Sequence, residues 1–159
     1  MGLFTLFIET KSILTTGEYQ LTVLDVGQGS AAVIQTQNHA VVFDAGAKFS
    51  DRLDVGSSVV LPYLRSQGIQ FLDYLIISHG DADHIGGAQV ILDRLPETSL
   101  IGQDIEKLVT SKKQLCVAGH KWQWDGVDFA FLSPASTGLS EHNPGAKRDK
   151  RNNRSCVLQ

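Results

Sequence analysis

The apolar run Leu72-Asp73-Tyr74-Leu75-Ile76-Ile77 passes straight into Ser78-His79-Gly80-Asp81-Ala82-Asp83-His84-Ile85-Gly86-Gly87, and no other stretch constrains the chain as much. The run has the length and composition of a buried strand, and the glycines after it mark a turn. That turn carries four candidate metal ligands, His79, Asp81, Asp83 and His84, within six positions. Side chains at i and i+2 of an extended chain fall on the same side, so His79 and Asp81 can share one ion. Asp83 and His84 lie beyond the turn, where they can reach a second ion. Imidazole nitrogen and carboxylate oxygen suit Zn, Mn or Fe. Two such ions roughly 3.5–4 Å apart would activate water and stabilise a displaced oxygen, which makes Asp81, Asp83 and His84 the catalytic candidates. The plainer reading is that turns favour Asp and Gly, and each residue taken singly fits it. Four ligand types between a buried strand and a Gly-Gly helix entry favour the metal.

A length of 159 residues is that of one domain with a proper core. A net charge of −3 argues against attraction of nucleic acid to the whole surface, though a local basic patch can still provide it. The longest apolar stretches, such as 59–61 or 75–77, are far too short to span a bilayer. Residues 1–8 are apolar but lack a basic start and a small-residue cleavage site, which makes them a poor signal peptide. They read as a stray edge strand or as the remnant of an upstream membrane segment. Cys116 and Cys156 form no CxxC pair, so a zinc knuckle or thioredoxin motif is not expected. Two buried thiols are the simplest expectation, and a disulfide is the alternative in an oxidising compartment.

Strand signals open the chain at 19–26, 31–35 and 40–43, the last two forming a hairpin around Asn38-His39, with His39 an exposed turn residue. A helix is expected over 57–67, stopped at Gly68 and starting late if Pro62 is to sit in its first turn. The strand at 72–77 and a helix over 87–95 bracket the ligand turn. A strand near 100–101, a short helix at 103–110 and a strand at 115–117 should follow. Residues 121–131 read as a hairpin turning at Asp125-Gly126. Its Trp122, Trp124, Phe129 and Phe131 suit cross-strand packing better than base stacking. Residues 134–153 read as a long polar loop and 155–158 as the start of another strand, so the domain is expected to be truncated.

Taken together, these strings resemble a known family. The stretch from Leu72 to Gly87 is similar to the ligand motif of the metallo-β-lactamase fold, H-x-H-x-D-H, with Asp81 replacing the second His. Asp25-Val26-Gly27-Gln28-Gly29-Ser30, Phe43-Asp44-Ala45-Gly46 and Val60-Leu61-Pro62-Tyr63-Leu64-Arg65 flank it in the expected order. With Trp122–Val127 and Asn152–Leu158, they resemble the carboxy-terminal hydrolase domain of ComEC-type DNA-uptake channel proteins, from about Gln20 to the last residue. The resemblance implies an α/β fold, an αββα sandwich with the metals at one edge of its two sheets. Residues 1–19 would be a lead-in and 20–159 an incomplete domain lacking its last strands and helices. It implies two divalent ions, Mn or Zn, and no small organic cofactor. Asp44 would steady the ligand loop by hydrogen bonds, and Asp25 and Gln28 would line the mouth; as plain residues, Asp25 and Asp44 fit turns equally well. The family pattern continues past residue 159 with a bridging Asp and a further His, and Asn152 or Asn153 stands where relatives carry a third-motif His. At most half of a two-metal site is therefore expected here, with weak metal binding and poor catalysis. His120 and His142 are expected on the surface rather than as replacement ligands.

The resemblance implies phosphodiester hydrolysis, degrading the strand of single-stranded DNA that is not imported. The implied partners are the membrane-channel part of the same parent protein and other DNA-uptake machinery. The parent would sit in the inner membrane with this domain soluble and periplasmic. One physical feature agrees: Lys147, Arg148, Lys150, Arg151 and Arg154 put five cations into eight residues, suited to phosphates along a single strand. Charge runs near a chain end are usually just solvated. A hydrolase of another ester, such as a phosphorylcholine or lactone substrate, and a non-catalytic DNA-holding module remain as alternatives.

Overall fold

The structure, a computed structural model, describes residues 14–135 and 154–159. Among the described residues eleven strands are formed: β1 Gln20–Val23, β2 Ala32–Gln35, β3 Ala40–Phe43, β4 Lys48–Ser50, β5 Leu53–Asp54, β6 Tyr74–Ile77, β7 Ser99–Gly102, β8 Lys113–Leu115, β9 Lys121–Trp124, β10 Val127–Ser133 and β11 Val157–Leu158. The helices are α1 Leu61–Ser66, α2 Ala82–Ile85 and α3 Ala88–Arg94. A six-stranded sheet runs β1-β2-β3-β6-β7-β8, and a smaller one runs β11-β10-β9. The β1–β2 and β2–β3 pairs are antiparallel, whereas β3, β6, β7 and β8 are parallel.

Strand alternation explains why the central strands are apolar throughout. Val42, Leu75, Ile77 and Leu100 face one core, shared with Leu64, Ile91 and Leu92 of α1 and α3. Val41, Ile76 and Ile101 face the other, shared with Phe131, Cys116, Cys156 and the edges of Trp122 and Trp124. A strand covered on both faces must be apolar at every position. The described residues thus build helices, large sheet and small sheet in that order, three layers of the expected sandwich.

The β9–β10 hairpin turns at Asp125-Gly126, both with positive φ (49° and 79°), the pairing a tight two-residue hairpin needs. Asp125 also fastens this hairpin to the β2–β3 turn, accepting hydrogen bonds from Thr36 Oγ1 (2.6 Å), Asn38 N (2.7 Å) and Asn38 Nδ2 (2.8 Å). These bonds hold its carboxyl below the ordinary range, the Thr36 bond first among them. Trp122 stacks on Phe129 at 5.2 Å and meets Tyr74 edge-on at 5.5 Å, so the aromatic strip is packing, as expected.

Several expectations are corrected. No helix forms over 103–110, because the Gln103 N–H is already spent on Ile77 O (3.2 Å) and Asp104 takes a left-handed φ of 54°. The strand expected at 115–117 lies earlier, at Lys113–Leu115, where it pairs with β7. The α-helix starts late, as expected, with Pro62 in the first turn of α1. A wider, π-type turn over Gly56–Val60 leads directly into α1, with Leu61 N–H reaching back to Gly56 O, and Pro62 falls where its missing N–H costs nothing. His39 is half-buried rather than exposed: Nδ1 lies 3.0 Å from Asp73 Oδ1, and the ring stacks on Trp124 at 4.5 Å. Cys116 and Cys156 are joined in a disulfide with their Cα atoms 6.0 Å apart, and are not free thiols.

Candidate metal centre

The parallel strand β6 delivers the site. Its last residue, Ile77, is fully buried, and the chain then leaves the sheet through Ser78, His79, Gly80 and Asp81 into α2, which carries Asp83 and His84. Asp81 occupies the position before the first helical residue, where an Asp side chain ordinarily caps the helix. It makes no such cap bond. Its carboxylate is turned instead toward His79, with Oδ2 3.6 Å from Nε2. Asp83 Oδ2 faces His84 Nε2 in the same way at 4.0 Å, and the two imidazoles lie 4.1 Å apart. His79 thus lies beside Asp81, and His84 beside Asp83.

The rings are aimed by Asp44, which stands at the end of β3, 2 % exposed and with φ 60°. Asp44 Oδ1 accepts from Ser78 N (2.7 Å), and Oδ2 accepts from Ser78 Oγ (2.8 Å) and meets His84 Nδ1 at 2.7 Å. Ser78 Oγ in turn lies 2.9 Å from His79 Nδ1. Because the Ser78 hydroxyl proton goes to Asp44, its oxygen can only accept from His79. Both imidazoles are thereby assigned a proton on Nδ1, leaving each Nε2 lone pair toward its carboxylate. The Asp44 hydrogen bond raises the pKa of His84 above the ordinary imidazole value against the effect of burial, with Asp44, Asp83 and Asp81 adding attraction. Ser78 was not given a role by the sequence, although it directly precedes His79.

Loop 25–30 closes one side. Gly29, at φ 95°, lies so close to Asp83 that a Cβ there would come within 1.8 Å of Asp83 O, and Ser30 N–H donates to that oxygen (3.2 Å). Gly29→Ala should therefore cost about 2–4 kcal/mol, from overpacking and left-handed strain together. Thermal melts check this; an unchanged melting temperature would mean the loop yields freely. On this loop Gln28 is exposed, and Asp25 is also exposed and accepts from Gly27 N (3.3 Å), an Asx-type turn. Neither is shown bonded to the His–Asp set. His120 is exposed, as expected. Residues 142 and 147–153 lie outside the described residues, and Arg154 pairs with Asp104 at 3.8 Å.

Among the described residues, no group of three or more His, Cys, Asp and Glu side chains forms a ready-made metal site. The donors come as two pairs. Their separations are 3.6 and 4.0 Å, and in donor type this nitrogen–oxygen set suits a divalent metal.

Comparisons with known proteins identify the family. The family model described as the metallo-beta-lactamase superfamily matches residues 24–146. Recombination protein 2 of Haemophilus influenzae is 35 % identical over 145 residues, covering 91 % of this chain and 17 % of that protein. Competence protein ComA of Neisseria gonorrhoeae is 32 % identical over 142 residues, covering 89 % and 18 %. This chain thus spans less than a fifth of either relative. Among solved structures, the metallo-beta-lactamase SMB-1 superposes with a TM-score of 0.56 at 14 % identity, over 77 % of this chain and 52 % of that one, which is a likeness of fold. Proteins of this group are generally hydrolases, and the fold usually binds divalent metals. With its ligand strand, its paired donors and more than half its length matched, the chain belongs to the metallo-beta-lactamase superfamily.

Proposed function

We propose that this chain belongs to a metal-dependent phosphodiesterase that cleaves single-stranded DNA in a DNA-uptake protein. The observation that carries the reading is the pair of Nε2–carboxylate gaps, His79 with Asp81 and Asp83 with His84, in a chain whose relatives include a competence protein and a recombination protein. His79 and Asp81 would hold one divalent ion, Mn or Zn, and Asp83 and His84 the other. When bound, such ions activate water and stabilise charge on a displaced oxygen.

The chain's own residues do the rest. Asp44 and Ser78 lock both imidazoles in the tautomer a metal needs, and the Gly29–Asp83 contact fixes the backbone of Asp83. Asp83, less buried than Asp81, is placed to steer water or take its proton. The Cys116–Cys156 disulfide supports an extracytoplasmic site of action, since such bonds persist in oxidising compartments. Among the described residues no helix is long and apolar enough to cross a membrane, so the channel partner would be another part of the parent protein.

The test is cleavage of end-labelled single-stranded DNA with Mn supplied, by a longer protein that contains this chain and the residues beyond it. Asp83→Ala should lower turnover by at least about a hundredfold while leaving the melting temperature near that of the parent protein. Equal turnover would remove Asp83 from the chemistry. No cleavage by a folded, metal-loaded protein would favour another ester or a DNA-holding role.

A further inference from the structure

Arg154 closes a basic run in the sequence, yet the structure gives it a place of its own. Two residues on, the Cys156 N–H donates to Ser78 O at 2.8 Å, and Cys156 Sγ lies 3.3 Å from Ile77 O. The Arg154 guanidinium sits 3.8 Å from Asp104 Oδ1. Asp104 is pressed against Gly80 so closely that a Cβ built there would lie 2.6 Å from Asp104 Cβ. The two anchors of the 154–156 segment therefore fall on Ser78 and Gly80, the residues on either side of His79. The disulfide to Cys116 fixes the same segment from beneath.

The side chain so held is 26 % exposed, on the Asp104 that packs against Gly80 in the turn carrying His79 and Asp81. Its contact with Asp104, at 3.8 Å, is longer than a charge-assisted hydrogen bond and, among the described residues, engages one nitrogen of a five-donor fork. A guanidinium presented in this way suits a phosphate oxygen, which it can grip with two parallel N–H groups. Asp104, held in its left-handed conformation, then acts as the bracket that keeps the cation beside the His79 loop.

The geometry points to Arg154 as a substrate-binding residue of this site, gripping a phosphate group of the strand beside the His79 loop. The inference rests on the phosphodiester reading for its substrate and is separate from any role of residues 147–151. Had the Arg154–Asp104 pair only braced the fold, its loss would lower stability and leave anion binding alone.

The test compares wild type, Arg154→Gln and Arg154→Lys for binding of a fluorescein-labelled oligo-dT strand at several salt concentrations, with inorganic phosphate as a second probe. Arg94→Gln on α3 serves as the charge control. Arg154→Gln should weaken oligo-dT binding about tenfold and lower the salt slope by about one, with Arg94→Gln unchanged. Lys should restore the slope but only part of the affinity, because it supplies the charge without the fork. Wild-type affinity and slope in Arg154→Gln would overturn the inference while leaving the DNA reading intact. If wild type binds phosphate but no oligo-dT, the DNA reading fails, and loss of phosphate binding in Arg154→Gln then upholds the anion site. If wild type binds neither probe, the inference fails as well.

Discussion

Asp44→Ala should destabilise the protein by about 3–5 kcal/mol and abolish zinc binding at the proposed site. The side chain is 2 % exposed and accepts from the Ser78 amide and the Ser78 hydroxyl while meeting His84 Nδ1. Alanine would leave those groups buried without an acceptor, each at about 1–3 kcal/mol, and would put at φ 60° a residue lacking the short polar side chain that eases this conformation in Asp and Asn. Asp44→Asn separates the two effects. Asparagine tolerates that backbone and keeps one acceptor oxygen, so the stability loss should be the smaller of the two. It cannot serve all three groups, so the histidine rings lose their fixed tautomer, and metal affinity should drop about ten- to hundredfold. Calorimetric zinc titration beside a thermal melt checks both. If Asp44→Asn binds zinc as tightly as wild type, Asp44 does not aim the rings.

Removing the disulfide should cost about 4 kcal/mol. The bond closes a sequence separation of 40 residues, and the entropy of a loop that long in the unfolded chain gives about that figure. Both cysteines are buried beside Phe131, Ile76 and Ile101, so Cys116→Ala/Cys156→Ala also removes packing between the sheets. The cost should fall locally as well as globally, because Cys156 bonds Ser78 O beside the first ligand. Urea unfolding of the double variant, and of wild type with and without reductant, measures the loss. An unchanged midpoint, or two titratable thiols in the oxidised protein, would contradict the pairing.

What could be read in advance follows from how local each signal is. β3, β6 and the ligand turn were legible because a strand buried on both faces leaves an unbroken apolar run, and the glycines after it have few other uses. The 121–131 hairpin was legible because Asp-Gly answers a demand of the backbone itself. Gln103 misled, because its amide is taken by Ile77 O of a neighbouring strand, 26 residues earlier, at a sequence distance no periodicity reports. His39 misled for the same reason, since Asp73 and Trp124 reach it only through the sheet. In the site, the gathering of His79, Asp81, Asp83 and His84 could be read from their spacing. The role of Ser78 could not, because it depends on Asp44, 34 residues earlier. Nor could the seat of Arg154, which two non-local anchors define.

The most direct measurement is nitrogen-15 NMR of the histidine rings in the metal-free protein at a pH above the raised pKa of His84, followed by a zinc titration. Of the five histidines, His79 and His84 should both carry their proton on Nδ1, and zinc should move the Nε2 resonances of these two while leaving the others in place. Protons on Nε2, or a titration that leaves both rings untouched, would contradict a metal centre built on this turn.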